Sequence, residues 1–221
     1  MSCNNERILE LPELENAEIT EVLDVSPAYI FYDETQPDST LLNRKNLIIT
    51  TNWLVNVDKR LTLKQAIPHI QFLQDKKRNA EMHKNEDAKN YFTCNDTSIG
   101  NLGFIDFTDV NYEFSEPKNN LIDLLSVISN DLVGKLTDTN TSKLQLKVNK
   151  KNKSMIVDEI INSSYLLENT SLPSEEIKTT NFSFQLYFDE HLSFQDYISI
   201  KSELLKLKSG KIIIDTNEFI Y

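Results

Sequence analysis

An α+β fold is what the sequence predicts: a mixed, mostly antiparallel sheet with two or three helices, in two similar β–turn–helix–β halves. Three observations carry this. Phe182, Phe184, Leu186 and Phe188 alternate with other residues, as do Leu144, Leu146 and Val148, which is the period of a half-buried strand. Leu121, Leu124, Leu125, Ile128, Leu132 and Leu136 recur at steps of three and four, which is the stripe of an amphipathic helix. Finally, residues 57–67 and 188–198 share a pattern. Asp58 matches Asp189, Leu61 matches Leu192, Thr62 matches Ser193 and Ile67 matches Ile198.

The elements follow in order. Residues 1–16 are acidic and aperiodic and read as a flexible arm. Ala28-Tyr29-Ile30-Phe31-Tyr32 is aromatic and β-branched, a strand. Residues 33–43 are polar, contain Pro37 and read as a loop. Leu47–Ile49 and Trp53–Val57 read as two strands or one bent strand. Thr62 then caps a helix, with Gln65 completing a capping box and Pro68 kinking it or marking its first turn. Short strands are expected at 91–94, 102–107 and 110–114. A helix is expected at 119–136, a strand at 144–148, and a strand or short helix at 155–161. Residues 162–180 read as a loop and 182–188 as a strand. Ser193 with Asp196 opens a last helix that Gly210 stops, and strands at 212–214 and 219–221 finish the chain. The halves divide near residue 117, as 17–117 and 118–221. Their common pattern reads either as a duplication or as what any strand entering a capped helix requires.

Composition limits the function classes. The formal net charge is −11 and the pI about 4.8, against a nucleic-acid binder or a protein held on anionic lipid, since both need clustered Lys and Arg. No apolar run reaches the roughly 20 residues of a membrane span. Nor does a signal peptide show at the start, so a virion or cytoplasmic setting is expected. The Asn-x-Ser/Thr triplets at Asn95, Asn140, Asn152, Asn162, Asn169 and Asn181 then follow from an Asn-rich composition. Cys3 and Cys94 have no useful spacing, consistent with a reducing compartment.

Candidate chemistry is sparse. His69, His83 and His191 form no metal-binding pair, although His83, Glu86 and Cys94 could meet a metal. Gly100 and Gly103 suit a hairpin or bulge better than a phosphate loop. Asp106 and Asp109 suit loop and strand-edge positions better than a cation site. Lys147, Lys150, Lys151 and Lys153 form the one basic cluster, read as a solvated hairpin tip or a weak anion contact. No catalytic, cofactor or metal residue is therefore assigned. Tyr29, Phe31, Tyr32 and Trp53 give the first half its aromatic density; where they stay exposed, they would anchor a protein partner.

Two stretches resemble known families. Ile8-Leu9-Glu10-Leu11-Pro12-Glu13-Leu14, Tyr29 to Asp33 and Leu61-Thr62-Leu63 together resemble a segment of bacteriophage tail and fibre-associated proteins. There a Leu-Pro stretch leads into a short apolar strand ending in Asp and then a threonine-capped helix. The resemblance spans residues 8–63 and implies a role in anchoring parts of a virion. The insertion from Glu34 to Leu54 and the scarcity of Gly depart from that pattern. Residues 180–221 are similar, in strand–turn–helix–strand order, to the periplasmic domain of the biopolymer-transport family that works with the Ton and Tol systems. Members of that family carry a membrane anchor with an essential acidic residue, and no such run is present here.

The expectation from all of this is a non-enzymatic structural or assembly protein. A phage or virus particle component, such as a tail or connector part, is the leading form, acting through contacts with itself or with other virion proteins and needing no cofactor. The alternative is a soluble bacterial adaptor or inhibitor whose acidic surface meets a basic partner. An enzyme would need a pocket that brings His69, His83, His191 or Cys94 to carboxylates.

Overall fold

The computed structural model describes residues 7–81, 85–117, 143–169, 182–207 and 212–221. The chain divides into two units, one of residues 1–109 with 193–202, the other of residues 110–192 with 203–221. The division thus falls before residue 117, and a stretch of the last helix groups with the first unit.

In the first unit, strands β1 (Glu13–Leu14), β2 (Val25–Tyr32), β3 (Thr40–Asn43), β4 (Asn52–Val57), β5 (Asn90–Asp96) and β6 (Asn101–Asp106) form one sheet. Its order is β1-β5-β4-β2-β3, with β6 beside β5. Helix α1 (Leu63–Arg78) joins β4 to β5. In the second unit, β7 (Asn111–Phe114), β8 (Lys143–Val148), β9 (Phe182–Phe188), β10 (Ile212–Ile214) and β11 (Asn217–Ile220) form the other sheet. Its order is β10-β9-β11-β7, with β8 beside β9. Helix α2 (Lys153–Asn169) joins β8 to β9; helix α3 (Phe194–Leu205) follows β9 in the chain, and its residues through Ser202 belong to the first unit.

The architecture is α+β with mixed sheets, as predicted, but the emphasis on antiparallel pairing is corrected. Only β2–β3 and β5–β6 are antiparallel among the described pairs, while β1–β5, β2–β4, β4–β5, β8–β9, β9–β10, β9–β11 and β7–β11 are parallel. The physical reason lies in the connections. Between β4 and β5, β8 and β9, and β9 and β10 a helix carries the chain back to the starting end of the sheet, so the next strand runs parallel, and between β2 and β4 the antiparallel strand β3 makes the return. Alternating side chains show only that one face is more buried than the other.

Other expectations shift as well. Residues 13–14 are not a free arm: the Asn95 N–H donates to the Pro12 carbonyl (2.8 Å) and the Thr97 N–H to the Leu14 carbonyl (3.0 Å). Residues 40–43 form β3 rather than loop. Leu47–Ile49 is not a strand but a turn region that enters β4. Residues 155–169, split in prediction between a short element and a loop, are one helix, whose buried face carries Ile156, Val157 and Ile160. The expected helix at 119–136, His83, Cys3 and Gly210 lie outside the described residues.

Helix α1 starts where its capping box requires. Gln65 Oε1 accepts hydrogen bonds from the Thr62 N–H (2.9 Å) and hydroxyl (3.0 Å). Pro68 sits in the second turn on an exposed side, and the helix runs on to Arg78. Leu63, Ala66, Ile67, Ile70 and Leu73 are buried at helical spacing. Phe92 sits at the centre of the first core, stacked on Phe107 at 3.8 Å and edge-on to Phe194 at 5.2 Å. Burying side chains of this size supplies roughly 2–3 kcal/mol each.

The matching stretches have matching geometry. The Arg60 N–H donates to Asp58 Oδ1 (3.1 Å), and the His191 N–H donates to Asp189 Oδ1 (2.9 Å). The Leu61 N–H reaches the Asp58 carbonyl, and the Leu192 N–H the Asp189 carbonyl. In each sheet the strand before this turn is flanked by parallel neighbours: β4 by β2 and β5, and β9 by β8 and β10–β11. The units differ in what joins the first two strands of the set, β3 in one and α2 in the other.

Candidate interaction edge

The first sheet ends on β3, and the local sequence explains how that strand is held. In the connection from β2, Asp33 Oδ1 accepts the Thr35 N–H (3.1 Å), Asp38 Oδ1 accepts the Thr40 N–H (3.1 Å), and Ser39 takes a left-handed conformation (φ 57°). Short carboxylate side chains that bond the backbone two residues on are what reverses the chain there. The register is then set: Tyr29 opposes Asn43, Ile30 opposes Leu42, Phe31 opposes Leu41 and Tyr32 opposes Thr40. Helix α1 fastens the strand from behind. The Thr40 hydroxyl lies 3.0 Å from His69 Nε2, and Gln65 Nε2 donates to the Asp38 carbonyl (2.9 Å).

Backbone groups on an antiparallel strand alternate between its partner and the outside. The Asp33 N–H donates to the Ser39 carbonyl, which puts Leu41 and Asn43 in the set that faces β2. The N–H and C=O of Leu42 therefore point to the open edge. Among the described residues β3 pairs with β2 alone.

A groove of about 480 Å³ runs along this edge, lined by Arg7, Leu41, Leu42, Asn43, Arg44 and Lys45. That is within the size range of ligand sites. Three of the six lining residues are cations, on a chain whose net charge is −11. The Arg44 guanidinium lies 4.8 Å over the Phe72 ring, which fixes its direction. Arg7 Nε donates to Asp33 Oδ2 at 3.2 Å. The Asp33 carboxyl is held below the usual carboxylate range by the Thr35 hydroxyl first, then its N–H, with Arg7 adding to them. Among the described residues, neither Arg44 nor Lys45 is paired with a carboxylate. Beside the groove, Tyr29 and Phe31 stack at 5.8 Å and are half-buried.

The four predicted anchor residues separate. Tyr29 and Phe31 lie beside the edge. Tyr32 is also half-buried; its hydroxyl donates to Glu34 Oε1 (3.0 Å), which raises its pKa, and Arg60 lies 5.0 Å over its ring. Trp53 is a correction. It is 1% exposed, its indole N–H donates to the Ile48 carbonyl (2.7 Å), and it belongs to the core.

The remaining candidates are tied into local structure. Cys94 is fully buried, and burial pushes its thiol far up, with Asp96 adding to the shift. Asp106 accepts from Thr108 and from Lys89 Nζ (2.9 Å), whereas Asp109 is exposed. Gly100 turns the β5–β6 hairpin with φ 62°. His191 is exposed beside Glu190. Lys147 to Lys153 is not a hairpin tip but the turn from β8 into α2, built by Asn149 Oδ1 accepting the Lys151 N–H (2.9 Å). Lys147 Nζ lies 4.5 Å over the Tyr221 ring. Among the described residues no group of three or more His, Cys, Asp or Glu could hold a metal ion, and no helix is long and apolar enough to cross a membrane.

Sequence reading missed the edge itself. Residues 33–43 are polar around Pro37, and Leu41-Leu42 is too short an apolar run to signal a strand. No protein-family model, curated protein or solved structure matches the chain.

Proposed function

We propose that this chain is a non-enzymatic assembly protein that works through protein–protein contacts, with the β3 edge of its first sheet as the contact surface. One observation carries the proposal: a strand edge whose outward backbone groups are open among the described residues, braced by α1 and flanked by a cationic groove and a half-buried aromatic stack. Such an edge is a template for another chain, since main-chain hydrogen bonds supply affinity and the flanking side chains supply choice. The burial of Cys94 and the local hydrogen bonds that hold Asp58 and Asp106 support the same view. A place in a phage or virus particle is the narrower form of the proposal and is supported by the resemblance of residues 8–63.

Affinity purification of the wild-type chain and of Leu42→Pro tests the contact surface. Proline removes the outward N–H of Leu42 and leaves the ladder to β2 in place. A partner recovered with the wild type and lost with the variant is the expected result. An identical set of partners with both chains overturns the proposal.

A further inference from the structure

Resting on the edge contact proposed above, we infer that the segment which pairs with β3 is extended and acidic. Two features of the groove specify this. It is lined by Leu41, Leu42 and Asn43 of the edge strand, and the outward N–H and C=O of Leu42 are the donor and acceptor that an added strand would take up. Its other lining residues are Arg7, Arg44 and Lys45. The guanidinium of Arg44, oriented by Phe72, offers a fork of donors suited to a carboxylate. Lys45 follows it in the turn after β3 and adds a mobile point charge.

The charge contrast is local. The chain as a whole is acidic by 11 charges, so the three cations that line the groove are a local contrast to which an acidic segment would be drawn. A second copy fits less well: edge-to-edge pairing would bring two cationic grooves side by side, and charged residues on an edge are a device against self-pairing. The four residues of β3 would align about 13 Å of incoming strand. Acidic side chains near the end of that strand beside Arg44 and Lys45 would complete the match. Strand pairing fixes the register, and the charges fix which sequences enter.

Labelled peptides of about seven residues, long enough to cover β3, test this by fluorescence anisotropy with the full chain. One alternates Glu with Val, one Thr with Val, one Lys with Val, and one Glu with Pro, which cannot add a strand. The Glu–Val peptide is expected to bind, weakening with salt, and to lose roughly tenfold or more with the Arg44→Glu, Lys45→Glu double variant, as removal of close charge partners does. Leu42→Pro is expected to abolish binding. Equal binding of the Thr–Val peptide overturns the acidic specificity and leaves the edge contact standing. Equal binding of the Glu–Pro peptide, or full displacement by inorganic phosphate, shows an anion patch and overturns strand addition. No binding by any peptide, together with an edge-paired dimer in light scattering, assigns the edge to a second copy and overturns the inference. No binding together with unchanged partner capture by Leu42→Pro removes both the inference and the proposed contact.

Discussion

Lys77 Nζ lies 5.0 Å over the face of the Trp53 ring and donates to the backbone carbonyls of Thr51 (3.1 Å) and Lys89 (2.8 Å). The last turn of α1 thereby fastens both chain segments that flank β4 and β5. Burial is the main effect on this ammonium and lowers its pKa to about 8, with Asp106 opposing the shift.

Lys77 should therefore contribute stability that grows as pH rises above about 8, against the opposite contribution of the buried Cys94 thiol, which keeps its proton in the folded state at pH values where the unfolded thiol has lost it. In the unfolded chain a lysine keeps its proton to about pH 10.4, so between these values the unfolded state binds more protons and raising the pH favours folding through this group, by about 3 kcal/mol across the window. Lys77→Met should remove that contribution and make the slope of stability against pH less positive than in the wild type. Urea unfolding followed by the emission of Trp53, the single tryptophan, measures both chains. Equal slopes in the two would refute the assignment.

Asp58 is fully buried and takes both arms of Arg60, at 2.8 and 2.7 Å. Burial alone would raise its carboxyl; the Arg60 guanidinium and N–H and the Glu10 N–H outweigh it and hold the group below the usual range. A carboxyl with a lowered folded pKa stabilises above its unfolded value, near pH 4, and loses that contribution as pH falls through the folded value. Asp58→Asn should cost about 2 kcal/mol at neutral pH. The gap from wild type should close in acid, as read by chemical denaturation at several pH values.

A Cβ at Gly103 would lie 2.6 Å from the Ala17 Cβ and 3.3 Å from the Asp96 Cβ. Gly103→Ala must displace the chain at Ala17, costing about 1–3 kcal/mol. Gly100→Ala meets open space and strains only its left-handed φ, at about 1 kcal/mol. Thermal melts of the two variants should rank them in that order, and the reverse order would contradict the packing of residue 17 against the β5–β6 hairpin.

Cys94 should resist alkylation. It is 0% exposed, and its buried thiol yields little thiolate near neutral pH. Mapping after iodoacetamide treatment should find it unmodified in the native protein and modified in urea. Rapid native modification would show that β5 opens locally.

Much of the fold was legible because its signals are local. The alternation at 182–188, the Thr62–Gln65 box and the Asp58 and Asp189 turns depend on neighbours within a few residues, and each appears in the structure. The helix at 153–169 was half seen, because its Ser- and Asn-rich second part resembles a loop in composition and gains its helical state from the buried stripe through Ile160. Of the candidate site, Tyr29 and Phe31 were found as aromatics, but their setting was not.

Sequence alone determined the class of elements, the capped turns and the matching of 57–67 with 188–198. Periodicity and capping are properties of a chain within one turn of itself. Tertiary structure decided the rest. Parallel pairing depends on where a crossover returns the chain, and burial of Trp53 depends on the 48–51 turn folding over it. The groove at β3 gathers Arg7 with Arg44 and Lys45, which are far apart in sequence and become neighbours only when β3 pairs with β2. Long-range neighbours are set by the sum of packing over the whole sheet, and no local pattern encodes that sum.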